Sequence, residues 1–357
     1  MALPTQTLPA LRGGLLALLA AALFGVSTPL VQQFGVGLGA FSTAALLYAG
    51  AAAVGLLSRQ RIDREARLQR TDLPRLIAMA AFGAVVGPVA LAWGLQNTSG
   101  TSASLMLTLE ALFTAVLAWR LYRETMDGRV WAAMALLLAG GMVLVLDQGR
   151  SGGARLWGLL AVLLATAAWG VDNTLSRALA ERDPGQVVMA KALLGATATS
   201  LLALLFGEAL PSGRSALALL LIGATGYGLS LRFYLLAQRA FGAARTGSVF
   251  AFAPFIGALF AVALGDRSAG GLMALGSGLM LAGVVLHLAE SHGHEHEHEV
   301  LEHEHAHRHD DGHHEHVHEH EHVLAAVPAG EHSHPHRHQP KRHAHPHVPD
   351  AHHVHRH

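Results

Sequence analysis

Residues 13–32 read GGLLALLAAALFGVSTPLVQ, a run of twenty residues without a charged side chain. A helix of that length is about 30 Å long, which matches the hydrocarbon core of a bilayer. Nine similar runs follow, so we interpret the first as a retained membrane span and not as a signal peptide. The ten predicted spans are residues 13–32, 38–57, 73–95, 101–121, 130–147, 156–176, 186–206, 215–237, 243–264 and 270–289.

The amino-acid composition divides the chain into an apolar body and a polar tail. The chain is 52% hydrophobic and 14% charged, whereas soluble domains carry about 25% charged residues. Residues 1–290 hold 20 basic and 13 acidic residues, and residues 291–357 hold 5 basic residues, 12 acidic residues and 25 of the 26 histidines. The absence of cysteine excludes disulfides and thiolate metal sites. We therefore expect an all-α membrane protein with ten transmembrane helices, followed by a disordered tail.

The distribution of arginine predicts how the chain is oriented. Cytoplasmic loops of membrane proteins carry an excess of lysine and arginine. The loops after spans 2, 4, 6 and 8 contain Arg59, Arg61, Arg64, Arg67, Arg70, Arg123, Arg129, Arg177, Arg182, Arg239 and Arg245. The alternate loops contain only Arg150, Arg155, Arg214 and Arg267. The loops after spans 2, 4, 6 and 8 are therefore predicted to face the cytoplasm. With an even number of spans, both termini and the tail are also predicted to be cytoplasmic. The protein itself is expected in the inner membrane.

The two halves of the body resemble each other. Phe24-Gly25-Val26-Ser27 recurs as Trp169-Gly170-Val171-Asp172, 145 residues later, and Ala139-Gly140 recurs as Ala282-Gly283 after 143 residues. Such matches could also arise because all these helices are rich in Ala, Leu and Gly. Five spans per repeat would invert the second repeat in the membrane, an arrangement that underlies alternating access. The predicted domains are residues 13–147, 155–290 and the tail, 291–357.

These residues resemble the drug/metabolite transporter superfamily, EamA type. The resemblance covers residues 13–290 and depends on Leu109-Glu110-Ala111-Leu112-Phe113, Tyr122-Arg123-Glu124, Ala253-Pro254-Phe255 and Leu264-Gly265-Asp266. It implies a transporter, not an enzyme, with a central cavity between two five-helix halves. It also implies transport without ATP, usually outward, of amino acids, nucleotide-type metabolites or drugs. The tail lies outside the family pattern.

Glu110 is the first candidate for a substrate contact. It lies about nine residues into the fourth span, roughly 14 Å deep at 1.5 Å per residue. A carboxylate at that depth costs several kcal/mol unless it is paired, hydrated or protonated, and such groups usually mark transport pathways. Glu110 is therefore predicted to bind substrate or a coupling proton, the alternative being a neutral structural side chain.

Further polar residues are candidates for lining the same pathway. Asp172 in span 6 occupies the repeat position of Ser27 in span 1, and Asn173 follows Asp172. These residues either line the path or form interhelical hydrogen bonds. Arg232 in span 8 is predicted to pair with Asp172 or Glu110, to bind an anionic substrate or to extend to the interface.

Three other side chains lie near the ends of spans. Trp93 and Gln96, near the end of span 3, would stack on or hydrogen-bond to a substrate, or Trp93 would anchor the interface. Lys191, near the start of span 7, is expected to extend to the membrane surface.

The tail alternates histidine with other residues, as in His294-Glu295-His296-Glu297-His298. Imidazole and carboxylate groups suit Zn, Ni and Co, so we expect the tail to bind such ions. The predicted ligands are His294, His296, His298, His303, His305, His307, His314, His316, His318, His320 and His322. A pH-sensitive latch and a passenger segment remain as alternatives.

The sequence thus predicts a secondary transporter, most simply an exporter of metabolites or drugs, linked to metal ions through its tail. The alternatives are a transition-metal (Ni/Co/Zn) transporter and a membrane-anchored protein that senses or stores metal. The expected partners are the lipid bilayer, a small-molecule substrate and transition-metal ions. We expect no required cofactor and no nucleic-acid partner.

Overall fold

The body of the protein is built from helices, as the sequence predicted. The computed structural model describes residues 7–58, 67–122, 126, 128–150, 152–179, 182–241, 243–268 and 270–288, and the backbone of four short segments of the tail. We group the helices into ten segments. They are α1 (Thr7–Phe34), α2 (Ala40–Leu57), α3 (Leu73–Met79, Ala80–Val86 and Gly87–Asn97), α4 (Gly100–Met106 and Leu109–Tyr122), α5 (Gly128–Arg150), α6 (Gly153–Ser176), α7 (Pro184–Leu205), α8 (Gly213–Ile222, Gly223–Leu229 and Ser230–Phe241), α9 (Ala243–Phe250 and Ala253–Ala263) and α10 (Gly271–Leu288).

Eight of these segments, α1 to α8, are long and apolar enough to cross a membrane, judged by length and composition. A helix pairs its own backbone N–H and C=O groups, which lipid cannot do, so apolar runs of this length are helical. The apolar helices of α9 and α10 are shorter, Ala253–Ala263 and Gly271–Leu286. A multi-pass membrane protein is therefore confirmed, whereas the count of ten spans stays a prediction.

Irregularities in the helices occur at matching places in the two halves. α3 contains a π-helix at Ala80–Val86, and α8 contains another at Gly223–Leu229. α4 is interrupted at residues 107–108 and α9 at residues 251–252, where the sequence predicted one continuous span. In α9 the helix restarts at Ala253 with Pro254 in its first turn, where a proline fits because its missing backbone N–H is not needed.

The helices also pack in reciprocal pairs. α1 packs on α8 and α9, while α6 packs on α3 and α4; α2 pairs with α7, α5 with α10 and α4 with α9. Gly25 of α1 lies against the backbone of Ala253, and Gly170 of α6 lies against Phe113. Neither position has room for a β-carbon, which explains why both copies of the repeated motif keep glycine. This is the pattern that a two-fold relation between the halves would produce.

The connections fall into two groups, which define two ends of the bundle. We call the end with the arginine-rich connections, such as α2–α3 and α6–α7, the Arg-rich end. There, the Arg182 guanidinium donates a hydrogen bond to Asp72 at 3.0 Å, and the backbone N–H of Leu68 donates one to Gln186 at 3.1 Å. The opposite end, with connections such as α1–α2 and α7–α8, is the Arg-poor end.

Four short segments of the tail form β-strands, where the composition predicted disorder. The strands β1 (His292–Glu297), β2 (Glu302–His307), β3 (His332–Arg337) and β4 (Arg342–His347) form two antiparallel pairs, β1 with β4 and β2 with β3. Alternation of residue types along these segments has the two-residue period of a strand. The strands include His294, His296, His303, His305 and His307. The other predicted ligands, His298, His314, His316, His318, His320 and His322, lie outside the described residues.

Candidate functional site

A small cavity lies among the helices, between the middle of the bundle and the Arg-rich end. Its volume is about 70 Å³, which is room for a few water molecules. Both halves of the chain contribute to its wall. The polar lining residues are Glu110, Asp172, Asn173, Lys191 and Ser230, and the aromatic ones are Phe24, Tyr48, Trp169, Tyr227, Tyr234 and Phe250.

Glu110 and Asn173, which the sequence singled out separately, meet at this cavity. Glu110 is the second residue of the helix Leu109–Tyr122, directly after the interruption of α4. Its Oε1 atom accepts a hydrogen bond from the Asn173 side-chain amide of α6. The side chain of Glu110 is half-buried, so the carboxylate is held by one amide while it still faces the open space of the cavity.

Asp172 forms an ion pair with Lys191 inside the bundle. The Lys191 Nζ atom contacts Asp172 Oδ2, and the side chains are only 6% and 7% exposed. Lys191 therefore does not extend to the membrane surface, and that expectation was wrong. The lysine is turned inward because a carboxylate is available beside it, and an unpaired charge at this depth would cost several kcal/mol. The second oxygen of Asp172, Oδ1, is buried and has no hydrogen-bond partner among the described residues.

The π-helix of α3 brings backbone polarity to the same place. Its Gly83 carbonyl accepts hydrogen bonds from the Tyr48 hydroxyl and, at 3.0 Å, from the indole N–H of Trp169. A β-carbon on Gly83 would overlap the Asp172 carboxylate. π-helices are frequent at functional sites, because they redirect backbone groups that a regular helix would pair internally. Gly83 is thus required by the close approach of Asp172.

Aromatic rings form the other wall of the cavity. Phe24 lies at the centre, with ring centroids 5.6 Å from Trp169, 5.9 Å from Tyr227 and 5.5 Å from Phe250. Tyr234 packs edge-on against Phe250 at 5.0 Å. Phe24 and Trp169 occupy the first position of the repeated motif, so each half contributes one of these rings. Separations of this size are typical of favourable aromatic pairs.

Ser27 is buried beside the cavity but does not line it. It packs on Gly226 in the π-helix of α8, as Asp172 packs on Gly83 in the π-helix of α3. Its hydroxyl donates a hydrogen bond to the Phe24 carbonyl at 2.6 Å. The repeat relation between Ser27 and Asp172 is therefore reflected in equivalent packing, although only Asp172 carries a charge.

The structure does not bring Trp93, Gln96 and Arg232 to the cavity. Trp93 is 45% exposed on the outer face of the bundle. Gln96 donates a hydrogen bond to the Leu38 carbonyl at 2.8 Å, near the Arg-poor end. Arg232 donates one to the Ser58 carbonyl at 2.7 Å and so satisfies the end of α2 instead of pairing with Asp172 or Glu110. Residue type and depth alone could not separate these positions from the cavity wall.

A second, polar space of about 750 Å³ opens at the Arg-poor end. Polar contacts lie beside it: Gln32 donates to the Leu95 and Thr98 carbonyls at 3.0 and 2.9 Å. Thr101 donates to Asp266 Oδ2 from its backbone N–H at 2.9 Å and from its hydroxyl at 2.8 Å. No described residue lines both spaces, so this opening is distinct from the central cavity.

Asp266 also accepts a hydrogen bond from the Ser268 backbone N–H at 2.9 Å. Partial burial by itself would raise the pKa of Asp266, but the hydrogen bonds from Ser268 and Thr101 outweigh it and lower that pKa. The carboxylate is thus held in its charged form at the start of α4.

The wall of the cavity can attract a positive charge and provide a flat apolar surface, but it contains no nucleophile–base arrangement. No group of three or more histidine, aspartate or glutamate residues suited to a metal ion occurs in the part of the chain that was described. Sequence reasoning missed Lys191 and the aromatic wall. The repeated Phe24 and Trp169 were a usable signal for that wall.

Comparisons with known proteins agree with this architecture. The model of the EamA-like transporter family matches the chain twice, at residues 11–146 and 156–289. An uncharacterized transporter of Methanothermobacter thermautotrophicus is 27% identical over 237 residues, which cover 63% of this chain and 67% of that protein. A solved crystal structure aligns with 78% of this chain and 94% of its own at a TM-score of 0.55 and 21% identity, a likeness that concerns the fold alone.

Proposed function

Because this chain belongs to the EamA-like transporter family, we propose that it exports a small metabolite or drug-like molecule by alternating access around the central cavity. Family membership and the apolar spans make the protein a multi-pass membrane transporter. The substrate class, the direction of transport and the alternating-access mechanism are what we propose. The observation that carries it is the cavity itself, which is built from both halves of the duplicated chain and holds Glu110 and Asp172.

The proposed orientation places the Arg-rich end in the cytoplasm, with both termini in that compartment and the second half inverted relative to the first. The reciprocal packing of the helices supports such a two-fold relation. The cavity lies towards the Arg-rich end, and no described residue lines both it and the space at the Arg-poor end. We propose that this conformation is a state closed to the outside.

The cavity must expand to bind substrate. Binding sites for drug-sized ligands measure about 300–1,000 Å³, and the present volume of about 70 Å³ is far below that. The π-helices of α3 and α8 and the interruptions of α4 and α9 are the places where these segments can bend. All four lie on segments that contribute to, or pack around, the cavity.

Reconstituted protein tests this proposal. Proteoliposomes are loaded with a panel of amino acids, amines and metal ions, and flux is compared between wild type, Glu110→Gln and the control Glu208→Gln. Glu208 is a suitable control because its carboxylate accepts hydrogen bonds from the backbone of Phe41 and Ser42, away from the cavity. We expect Glu110→Gln to lose at least tenfold in flux and Glu208→Gln to retain it. Equal flux in all three proteins, for every substrate moved, would remove Glu110 from the mechanism.

We also propose that the tail binds transition-metal ions such as Zn, Ni or Co and links metal to transport. The support is its composition and the backbone register of the strands, which places histidine opposite histidine, as at His294 and His345 or His305 and His334. Deleting residues 291–357 should abolish metal binding measured by calorimetry and leave substrate flux intact. Loss of all substrate flux in the truncated protein would favour a metal transporter. A full-length protein that binds metal through its tail but transports no substrate would favour a metal sensor or store.

A further inference from the structure

The charges on the cavity wall do not balance. Among the described lining residues, Glu110 and Asp172 carry carboxylates and Lys191 carries the one cationic group. Lys191 is already paired with Asp172, so Glu110 has no charged partner in the wall. With all three groups ionised, the cavity carries one net negative charge in a region where an uncompensated charge is costly.

In addition to this net negative charge, Asp172 has a carboxylate oxygen that accepts no hydrogen bond from the described part of the chain. The residue is 5% exposed, its Oδ2 atom contacts Lys191, and its Oδ1 atom lacks a partner among the described residues. Leaving a buried acceptor unsatisfied costs free energy that a donor on a ligand would recover. A carboxylate oxygen can only accept hydrogen bonds, so the complementary group on a ligand is a donor.

The aromatic wall favours the same kind of ligand. The faces of phenylalanine, tyrosine and tryptophan rings are negative and attract cations, most strongly where water is excluded. Phe24, Trp169 and Tyr227 form one contiguous group, and Tyr234 and Phe250 continue it on the side of α8 and α9. Neutral and anionic ligands gain nothing from this electrostatic feature.

We infer that the substrate of this cavity is a small organic ammonium ion, whose charged nitrogen lies between Glu110 and Asp172 against the aromatic rings. This inference rests on the transport function proposed above and specifies its substrate class. One positive charge neutralises the wall, an N–H group satisfies Asp172 Oδ1, and the rings cover the remainder of the nitrogen substituents.

Three probes with the same ring and different charges test the inference: benzylammonium, benzyl alcohol and benzoate. Binding to the purified full-length protein in detergent is measured by isothermal titration calorimetry at pH 7. We expect benzylammonium to bind at least tenfold more tightly than either of the others. Equal or tighter binding of benzyl alcohol or benzoate, or no binding of benzylammonium, would overturn the inference.

Variants assign the selectivity to named side chains. Glu110→Gln should weaken benzylammonium binding by about tenfold or more, because a charged hydrogen-bond partner is lost, and should leave benzyl alcohol unaffected. Tyr234→Leu should weaken the cation by about five- to thirtyfold and Tyr234→Phe, which keeps the ring face, much less. Trp93→Leu changes an aromatic residue outside the cavity and should have no effect. An equal loss for all three probes would indicate a general packing defect and contradict the cation site.

Flux separates this inference from the proposed function. If proteoliposomes transport benzylammonium and exclude benzoate, the ammonium site and the proposed transport function are both supported. If they transport the neutral or the anionic probe instead, the protein is a transporter and the ammonium site is wrong. If benzylammonium binds selectively but no probe crosses the membrane, the ammonium site stands and the transport function around this cavity is wrong.

Discussion

Replacing Lys191 by methionine should destabilise the protein by about 3–4 kcal/mol, because it leaves the Asp172 carboxylate buried without its partner. Both side chains of the pair are almost fully enclosed, at 6% and 7% exposure, so water cannot replace the lost ammonium group. The penalty has a ceiling near 4 kcal/mol at pH 7, which is about the free energy needed to protonate an aspartate of ordinary pKa. Asp172→Asn should cost a similar amount, since it leaves a buried ammonium.

The double variant separates charge from packing. Replacing a buried ion pair by groups of similar volume is often neutral or stabilising. Asp172→Asn combined with Lys191→Met should therefore be within about 1 kcal/mol of wild type, and the two substitutions should couple by several kcal/mol. Leu193→Met is the matched control, because Leu193 lies on the same helix and is 50% exposed on the outer face. It should change stability by less than about 0.5 kcal/mol.

Unfolding is followed in mixed micelles by denaturant titration, with thermal unfolding as a second readout. The single variants should unfold about 5–15 °C below wild type, from the usual relation between stability and Tm in proteins of this size. A Lys191→Met protein as stable as the Leu193→Met control would refute the reasoning. Additive single and double variants would also refute it, since they would show that the two side chains do not interact.

Three more predictions follow from local geometry. Gly83→Ala should cost about 1–3 kcal/mol and reduce flux, because a methyl group overlaps the paired aspartate, whereas Gly213→Ala, in open space, should be neutral in the same unfolding assay. Asp266→Ala should cost about 1 kcal/mol at pH 7 by removing the acceptor for Thr101. Because the pKa of Asp266 is lowered, this stabilisation is present above about pH 4 and is lost as the pH falls through the lowered value, so the difference in Tm between wild type and variant should disappear there. The chain has no cysteine, so Gly213→Cys should react with an impermeant maleimide added outside intact cells and Gly128→Cys should not; the reverse result would contradict the proposed orientation.

The depth of Glu110 and the repeat between Ser27 and Asp172 were visible without coordinates. A carboxylate far from either end of an apolar helix must face protein or water, so its position along the helix was informative. Asn173 follows directly in sequence, and its contact with Glu110 joined two candidates that were proposed separately. Glu110, Asp172 and Asn173 could be singled out in this way because periodicity and depth in the membrane are one-dimensional properties.

Lys191 and Arg232 show what the linear sequence alone could not determine, which is the direction of each side chain. Both are basic residues partway along an apolar helix, and a long basic side chain at either place can turn inward or extend to the interface. The neighbour decides: Lys191 faces Asp172 of α6, whereas Arg232 faces the carbonyl end of α2. The direction in which each helix faces is set by packing against other helices, which the apolar sequence does not encode strongly.

The sequence by itself determined a helical, membrane-spanning body, its duplication and the depth of its carboxylates, because each follows from hydrophobic length and spacing along the chain. Only the tertiary structure decided which side chains share the cavity, that Asp172 is neutralised by Lys191, and that six aromatic rings face them. The physical reason is that lipid and the bundle interior are similarly apolar. Hydrophobicity therefore specifies that a helix is in the membrane but does not specify which of its faces turns inward.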